Sequence, residues 1–301
     1  MSSTAATPMP IAELPDAPGF FSLTLEPNQG PMVVLDHPFL QRLEATIAAL
    51  PAAALGVIVR SGSERVFVAG ADLKTIDTWD DQRLDRYLAY GSRVFGMLAE
   101  LPCPTAAVIS GAALGGGLEL AMHCDALIGA PSPSGRPYPV GLPEAGLSIC
   151  PGWGGTNLFP ARIHAPDAIM HTATGATMMF DEAVKAGLFD AVAPAASDLL
   201  STAHKWLVER RTKGNLKRDG APSRWIGRPE SRTAALSALV QTRETLPATE
   251  SAAAIARAIE AGLENGWPAA LEVERRELTR LRHTEPARNA LRAFFEKSSN
   301  K

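Results

Sequence analysis

Two glutamates in apolar company are the first residues of this 301-residue sequence whose chemistry needs explaining. Glu119 stands in Leu118-Glu119-Leu120-Ala121-Met122, at the start of an apolar helix, and Glu144 stands in Leu142-Pro143-Glu144-Ala145-Gly146. A carboxylate is seldom buried without a partner, and apolar surroundings raise its pKa toward the range where it can give or take a proton at neutral pH. Simpler readings stay open for both. Glu119 can pair with His123 at i,i+4 on a solvent-exposed stripe, or favour the helix dipole from the first turn. Glu144, following a proline, can be an ordinary helix-start or loop residue.

Two glycine-flanked turns could supply fixed amide donors. In Phe67-Val68-Ala69-Gly70-Ala71-Asp72-Leu73-Lys74 a strand ends in small residues, so a ligand could approach the backbone and meet the N–H of Ala71; an ordinary tight turn is the alternative. In Ser110–Leu120 three consecutive glycines, Gly115 to Gly117, precede a helix. Such residues lose much backbone entropy on ordering, and a helix N-terminus presents unpaired N–H groups suited to a developing oxyanion. Leu120 occupies the position where a dinucleotide fingerprint needs Gly, no Gly-Lys-Ser/Thr follows as in a Walker A loop, and Val108 stands where a nucleophile elbow needs Gly. A further glycine-rich turn, Pro151-Gly152-Trp153-Gly154-Gly155-Thr156, enters a probable helix and could turn its amides toward the same pocket.

The elements that must position these groups alternate between short apolar strands and amphipathic helices. Strands are expected at Phe20–Leu25, Met32–Leu35, Leu55–Val59, Val66–Val68, Thr105–Ile109 and Ala126–Ile128. One helix should open at Asp36 or His37 and another at Asp80 or Asp81, the latter ended by Pro102 and Pro104. The pattern predicts an α/β fold with largely parallel pairing. Residues 1–18 read as a disordered tail, 19–195 as the α/β core and 196–301 as a helical C-terminal region, interrupted by a Gly/Pro/Arg-rich stretch, Lys213–Arg232.

Composition narrows the class. Apolar residues make up 46% and charged residues 20%, the balance of a soluble globular protein. A net charge of −3 gives no global attraction to nucleic acid or an anionic membrane. The three cysteines, Cys103, Cys124 and Cys150, form no CxxC pair and read as buried thiols in a reducing cytosol; no metal site is expected. The N-terminus lacks signal- and transit-peptide features, and no apolar run reaches membrane-spanning length. The chain is therefore expected to be cytoplasmic.

FVAGADLK at 67–74, PTAAVISGAALGGGLELAMHCDALIGA at 104–130, VGLPEAGLSICPGWGGT at 140–156 and TGATMMFDEAVKAGLFDAVAP at 174–194 together resemble the crotonase (enoyl-CoA hydratase/isomerase) superfamily, four motifs in family order. GWPAALEVERRELTRL at 266–281 resembles the close of the hydratase part of multifunctional fatty-acid oxidation proteins. The resemblance implies a spiral of β-β-α units followed by a helical region. It implies an oxyanion hole from the amides of Ala71 and Gly116, and a substrate path along Ala69, Ala71, Asp72, Leu73 and Lys74. It further implies Glu119 deprotonating water, Glu144 exchanging the proton at C2, and the Gly152 amide positioning that water. The implied reaction is addition of water to a 2-enoyl-CoA, or its reverse. No cofactor is implied, because coenzyme A is part of the substrate. Homotrimers or hexamers are implied as the assembly.

Alternatives remain: double-bond isomerisation, which in this family generally needs one carboxylate, or another reaction on an acyl-CoA; a non-catalytic scaffold; and an RNA-binding homologue using the basic residues of Lys205–Arg232. That basic stretch reads better as solvated surface, and neither nucleic acid nor a membrane is expected as partner. Departures from the family pattern bear on specificity: Val140, Leu142 and the bulky Trp153 stand in place of the usual residues, and Pro131–Pro139 is an insertion expected to bulge from the surface.

Overall fold

The computed structural model describes residues 6–214 and 216–299. Among the described residues ten strands lie in chain order: β1 (Ile11–Leu14), β2 (Ala17–Leu25), β3 (Gly56–Ser61), β4 (Val66–Val68), β5 (Thr105–Ile109), β6 (Ala112–Leu114), β7 (Ala126–Gly129), β8 (Pro139–Gly141), β9 (Thr177–Met179) and β10 (Ala191–Val192). They form a six-stranded sheet in the order β1-β2-β3-β5-β7-β10 and a four-stranded sheet in the order β4-β6-β8-β9. The large sheet is parallel apart from β1. Its central strands are Val57-Ile58-Val59, Ala106-Ala107 and Ala126-Leu127-Ile128, all wholly buried, as a sheet covered on both faces requires.

Each central strand of the large sheet turns into a short strand of the small one and then into a helix: β3 to β4, β5 to β6, β7 to β8. This is the expected β-β-α repeat. The helices begin where short polar side chains can take up orphan amides. Asp36 accepts from the Phe39 amide (2.7 Å) to open α1 (His37–Ala48). Asp72 accepts from the Thr75 amide (3.1 Å) to open the single-turn α2 (Leu73–Ile76). Asp80 accepts from the Arg83 amide (2.7 Å) to open α3 (Asp81–Glu100). Next come α4 (Gly116–Met122), α5 (Gly155–Leu158), α6 (Ala165–Thr174) and α7 (Phe180–Lys185), then α8 (Leu199–Thr212), α9 (Pro229–Thr242), α10 (Glu250–Asn265), α11 (Trp267–Leu281) and α12 (Glu285–Ser299). Among the described residues no helix is long and apolar enough to cross a membrane. The three cysteines are buried and unpaired.

Several expectations need correction. The disordered tail over 1–18 gives way at Ile11: β1 pairs antiparallel with β2, which begins at Ala17, and Met9 and Leu14 are buried; residues 1–5 lie outside the described residues. A polar, proline-rich composition hid a hairpin whose stability comes from packing on the sheet edge. Met32–Leu35 is not a strand but extended chain making isolated bridges, Leu35 to Ala71 among them. The boundary at 195 does not separate two bodies. Leu199, Ala203 and Leu207 of α8 pack on Phe20, Ile58, Ala106 and Val108 of the large sheet, and Ile255, Ile259, Trp267 and Leu278 join the principal core. Helix α9, in part inside the stretch read as irregular, begins at Pro229 as a proline at the first helical position permits.

The basic stretch is only partly solvated. Arg218 donates to both carboxylate oxygens of Asp125 (2.9 and 2.8 Å) and to the carbonyls of Leu101 and Cys103. Arg228 grips Asp219 (2.8 Å to each oxygen) and the carbonyls of Ala221 and Pro222. Arg224 reaches Asp190 at 2.7 Å. Arg218 and Arg224 fasten the connection after α8 to the core and Arg228 ties the connection to itself, which commits all three to partners other than a polyanion. Arg218→Ala, by stranding the buried Asp125 charge, is expected to lower unfolding free energy by about 3 kcal/mol, read as a reduced urea midpoint at unchanged m-value. The insertion does bulge: residues 131–137 are largely exposed, while the Tyr138 hydroxyl anchors its far end to the carbonyls of Ile109 and Ala130.

Candidate active site

The small sheet decides where the chemistry gathers. β4, β6 and β8 are parallel, in the registers Val68 to Ala113 and Leu114 to Gly141, so their C-terminal ends lie side by side. The segments leaving those ends are Ala69–Asp72, Gly115–Glu119 and Leu142–Glu144. Residues 71, 116, 119 and 144, far apart in the chain, are thereby delivered to one edge, where the carboxyl ends of parallel strands present their loops.

The glycine triplet is required by close approach. Gly115 has φ +53 and ψ −127, and a Cβ there would come within 2.5 Å of Glu144 Oε1. A Cβ on Gly117 would come within 2.3 Å of the Val68 carbonyl oxygen. The start of α4 can thus lie directly on β4 and against the Glu144 carboxyl. Among the described residues no carbonyl or carboxylate accepts from the amide of Ala71 or of Gly116, so both donors remain available.

Glu119 is 1% exposed. The exposed i,i+4 pair with His123 is not formed: His123 is equally buried, and its Nδ1 donates to the backbone carbonyl of Glu119 (2.8 Å), not to the carboxylate. Instead, Glu119 Oε1 accepts from the amides of Trp153 and Gly155, both at 2.8 Å. Its other oxygen, Oε2, takes no hydrogen bond from the described residues. Burial, and after it the charges of Glu274 and Glu144, push the Glu119 pKa well above the ordinary carboxylate range, against the opposing pull of the two amides.

Glu144 sits in the short 3₁₀ helix Pro143–Leu147, beyond the end of β8. The residue is partly exposed, yet its Oε2 is sealed from solvent and has no hydrogen-bond partner. Burial raises its pKa to about 8. At neutral pH it is therefore mostly the neutral acid, able to donate a proton.

A third carboxyl, unforeseen from the sequence, completes the cluster. Glu274 on α11 is fully buried; its Oε2 accepts from the Gly154 amide (2.5 Å), and its Oε1 from the amide (2.9 Å) and hydroxyl of Thr156. Burial raises its pKa to about 7. One signal was available: Glu274 falls at helical spacing between Ala270 and Leu278, on the apolar face of α11.

The pKa shifts predict a pH dependence of stability. Glu144 binds its proton more tightly folded than unfolded, so its contribution is complete below about 4.5 and is lost as pH rises through about 8. Glu144→Gln, which needs no ionisation, should therefore gain stability relative to the parent chain between pH 5 and pH 9, measured by chemical denaturation at both.

Residues 37–219 match the family model described as enoyl-CoA hydratase/isomerase. The chain belongs to the enoyl-CoA hydratase/isomerase family. This family member is an α/β enzyme of the crotonase type. It is 34% identical over 275 residues to the fatty acid oxidation complex subunit alpha of Vibrio cholerae serotype O1, covering 88% of this chain and 38% of that protein. It is 32% identical over 286 residues to the protein of the same name from Shewanella amazonensis, covering 92% of this chain and 39% of that protein. The chain thus spans well under half the length of these curated relatives. Among solved structures, an enoyl-CoA hydratase from Bacillus anthracis aligns over 95% of this chain and 96% of its own, at TM-score 0.60 and 25% identity. One from Bacillus halodurans shares the fold at TM-score 0.65 and 19% identity, over 93% of this chain and 98% of its own.

Within the crotonase-type site the other anticipated residues divide. Leu73 lines a mainly apolar slot with Ile76, Leu84, Ile149, Leu278 and Leu291, joined by Asp77 and Arg282, about 20 Å³ in volume. The slot abuts Gly152, because Leu278 would be only 3.1 Å from a Cβ on that glycine. The Ala69 amide is already committed to the Val33 carbonyl (2.8 Å). The Asp72 carboxylate is occupied as the cap of α2, and Lys74 is exposed. The amides that engage the Glu119 carboxylate are those of Trp153 and Gly155, just beyond Gly152, whose own amide was expected to position the water. The Trp153 side chain does not project into the slot. It is 3% exposed, its Nε1 donates to the Leu88 carbonyl (3.0 Å), and its ring supports Gly116 from below, alongside Tyr87 and Phe95.

Proposed function

We propose that this chain hydrates a 2-enoyl-CoA, or runs the reverse dehydration of a 3-hydroxyacyl-CoA. The observation that carries this reading is the meeting of two uncommitted amides, Ala71 and Gly116, with two carboxyls, Glu119 and Glu144, at one edge of the small sheet. The thioester oxygen would accept from both amides, which hold best once negative charge has developed on it. In its ionised form Glu119, fixed through Oε1, would use its free Oε2 to take a proton from water as the water oxygen bonds to C3. Glu144, neutral at pH 7, would give its proton to C2 as the 2,3 double bond is lost. Each such proton transfer contributes about 10²–10⁴-fold. Isomerisation needs one carboxyl; the presence of a second favours hydration. The reaction calls for no metal or redox cofactor, coenzyme A being part of the substrate.

The apolar slot is the candidate acyl site. At about 20 Å³ it holds little more than one water-sized group, which favours short acyl chains. The expected result is a kcat/KM highest for a four-carbon enoyl-CoA and falling as the chain lengthens to ten carbons, followed as loss of enoyl absorbance with product identification. Failure of every enoyl-CoA tested to react would remove the reading. Assembly as a homotrimer or hexamer is part of the same proposal: Leu236 and Val240 of α9 are 53% and 69% exposed. Light scattering would test it.

A further inference from the structure

Successive amides of the turn after Pro151 point to two carboxylates in strict alternation. Trp153 and Gly155 donate to Glu119; Gly154 and Thr156 donate to Glu274. The two glutamates come from α4 and from α11, more than 150 positions apart in the chain, and are joined through this turn. The Thr156 hydroxyl adds a third donor to Glu274, and the Asn157 side chain donates to that hydroxyl (2.9 Å) and to the Ala258 carbonyl (3.0 Å), tying the turn to α10 as well.

A buried charge on α11 is costly, and an apolar residue at 274 would pack against Ala270 and Leu278 without that cost. The carboxylate serves the turn: it satisfies amides that would otherwise be stranded in the core and fixes the direction of the two that hold Glu119. We propose that Glu274 is the positioning residue for Glu119, clamping the turn so that Glu119 is bound through one oxygen and the other is left to face the reacting water. This inference rests on the hydration reading, in which Glu119 is the group that takes the proton.

The clamp has an electrical consequence. The acidic groups facing Glu119 are Glu274 on α11 and Glu144 from the 3₁₀ helix; each keeps Glu119 protonated once it is itself ionised, and Glu144 is mostly neutral near pH 7. The remaining neighbours are neutral near pH 7: His123 on α4, lowered to about 4 by burial; the Tyr87 hydroxyl on α3, raised by burial and bonded to the Leu35 carbonyl; and the Cys150 thiol, raised by burial. Glu277, one turn along α11, is neutralised by Arg257 and Arg280. Removing the Glu274 charge should let Glu119 ionise at lower pH.

The test is a pH profile of crotonyl-CoA hydration for the parent chain and for Glu274→Gln and Glu274→Asp. In Glu274→Gln the acid limb of kcat should move to lower pH by about one unit, the size of coupling between adjacent carboxyls. Its plateau should fall at least tenfold with little change in KM, because an amide cannot accept from both Gly154 and Thr156. In Glu274→Asp the acid limb should stay, since the charge is kept, while kcat falls, since the shorter side chain cannot span both amides. A Glu274→Gln enzyme with the parent's kcat and pH profile would overturn the proposal. So would a loss of kcat with an unmoved acid limb, which is what a merely structural role produces. Should Glu274→Gln fail to fold, Thr156→Val removes one donor, makes Glu274 harder to ionise and should move the acid limb in the same direction by less; an unmoved limb there also overturns it. An inactive parent chain would instead count against the hydration reading.

Discussion

Glu119→Gln and Glu144→Gln are each expected to reduce kcat for crotonyl-CoA hydration by about 10²–10⁴-fold, with KM changed by no more than a few-fold. The argument is geometric before it is electrostatic. Glu119 is held by two amides through one oxygen, so Gln can keep its place and lose only the ability to take a proton. Glu144 has a sealed oxygen with no partner, an arrangement that costs stability unless a substrate group is to meet it there. Because the two groups act in one step, the double variant should be little worse than the poorer single one. Steady-state kinetics on the three variants, with circular dichroism confirming the fold, is the measurement. A single variant retaining near-parental kcat would remove that carboxyl from the chemistry.

Gly115→Ala carries the second large effect. The φ of +53 with ψ of −127 is accessible to glycine and strained for alanine, at an expected cost of about 1–3 kcal/mol. The new Cβ would also come within 2.5 Å of Glu144 Oε1 and must displace it. A shift near 1 Å at a reacting group can cost about 10²-fold in rate. The expected result is a lower melting temperature together with a kcat loss of roughly 10²-fold, while thioester binding survives because Ala71 is untouched. Isothermal titration with a non-reactive acyl-CoA would separate the two. Parental kcat in Gly115→Ala would show that Glu144 does not need its position against this glycine.

Several elements were legible from residues alone because local chemistry decides them. Asp36 and Asp80 cap their helices as their types dictate, and the wholly apolar runs at 57–59, 105–109 and 126–128 are buried strands. Others were not, because their signal is non-local. β1 lies in a proline-rich N-terminal stretch and becomes a strand only by pairing with β2. β6 and β8 are three residues each, too short for a periodic pattern, and exist because they extend one parallel register from β4. The arginines at 218, 224 and 228 looked like a solvated run; Arg218 and Arg224 became anchors because Asp125 and Asp190 lie buried opposite them, while Arg228 pairs with Asp219 within the same segment.

For the site, the sequence by itself determined the chemistry on offer. Carboxyls among apolar residues at 119 and 144, and small residues with free amides at 71 and 116, are properties of residue type and neighbour, and four motifs in order carried the family. The tertiary structure alone decided which groups act on which. It set Glu119 on the amides of Trp153 and Gly155 in place of His123, turned Trp153 into packing beneath Gly116, and brought Glu274 from the far end of the chain into the same cluster. The physical reason is distance in the chain: a hydrogen-bond partner 34 or 120 positions away leaves no periodicity in the sequence, and exists only once parallel strands and packed helices have closed the space between.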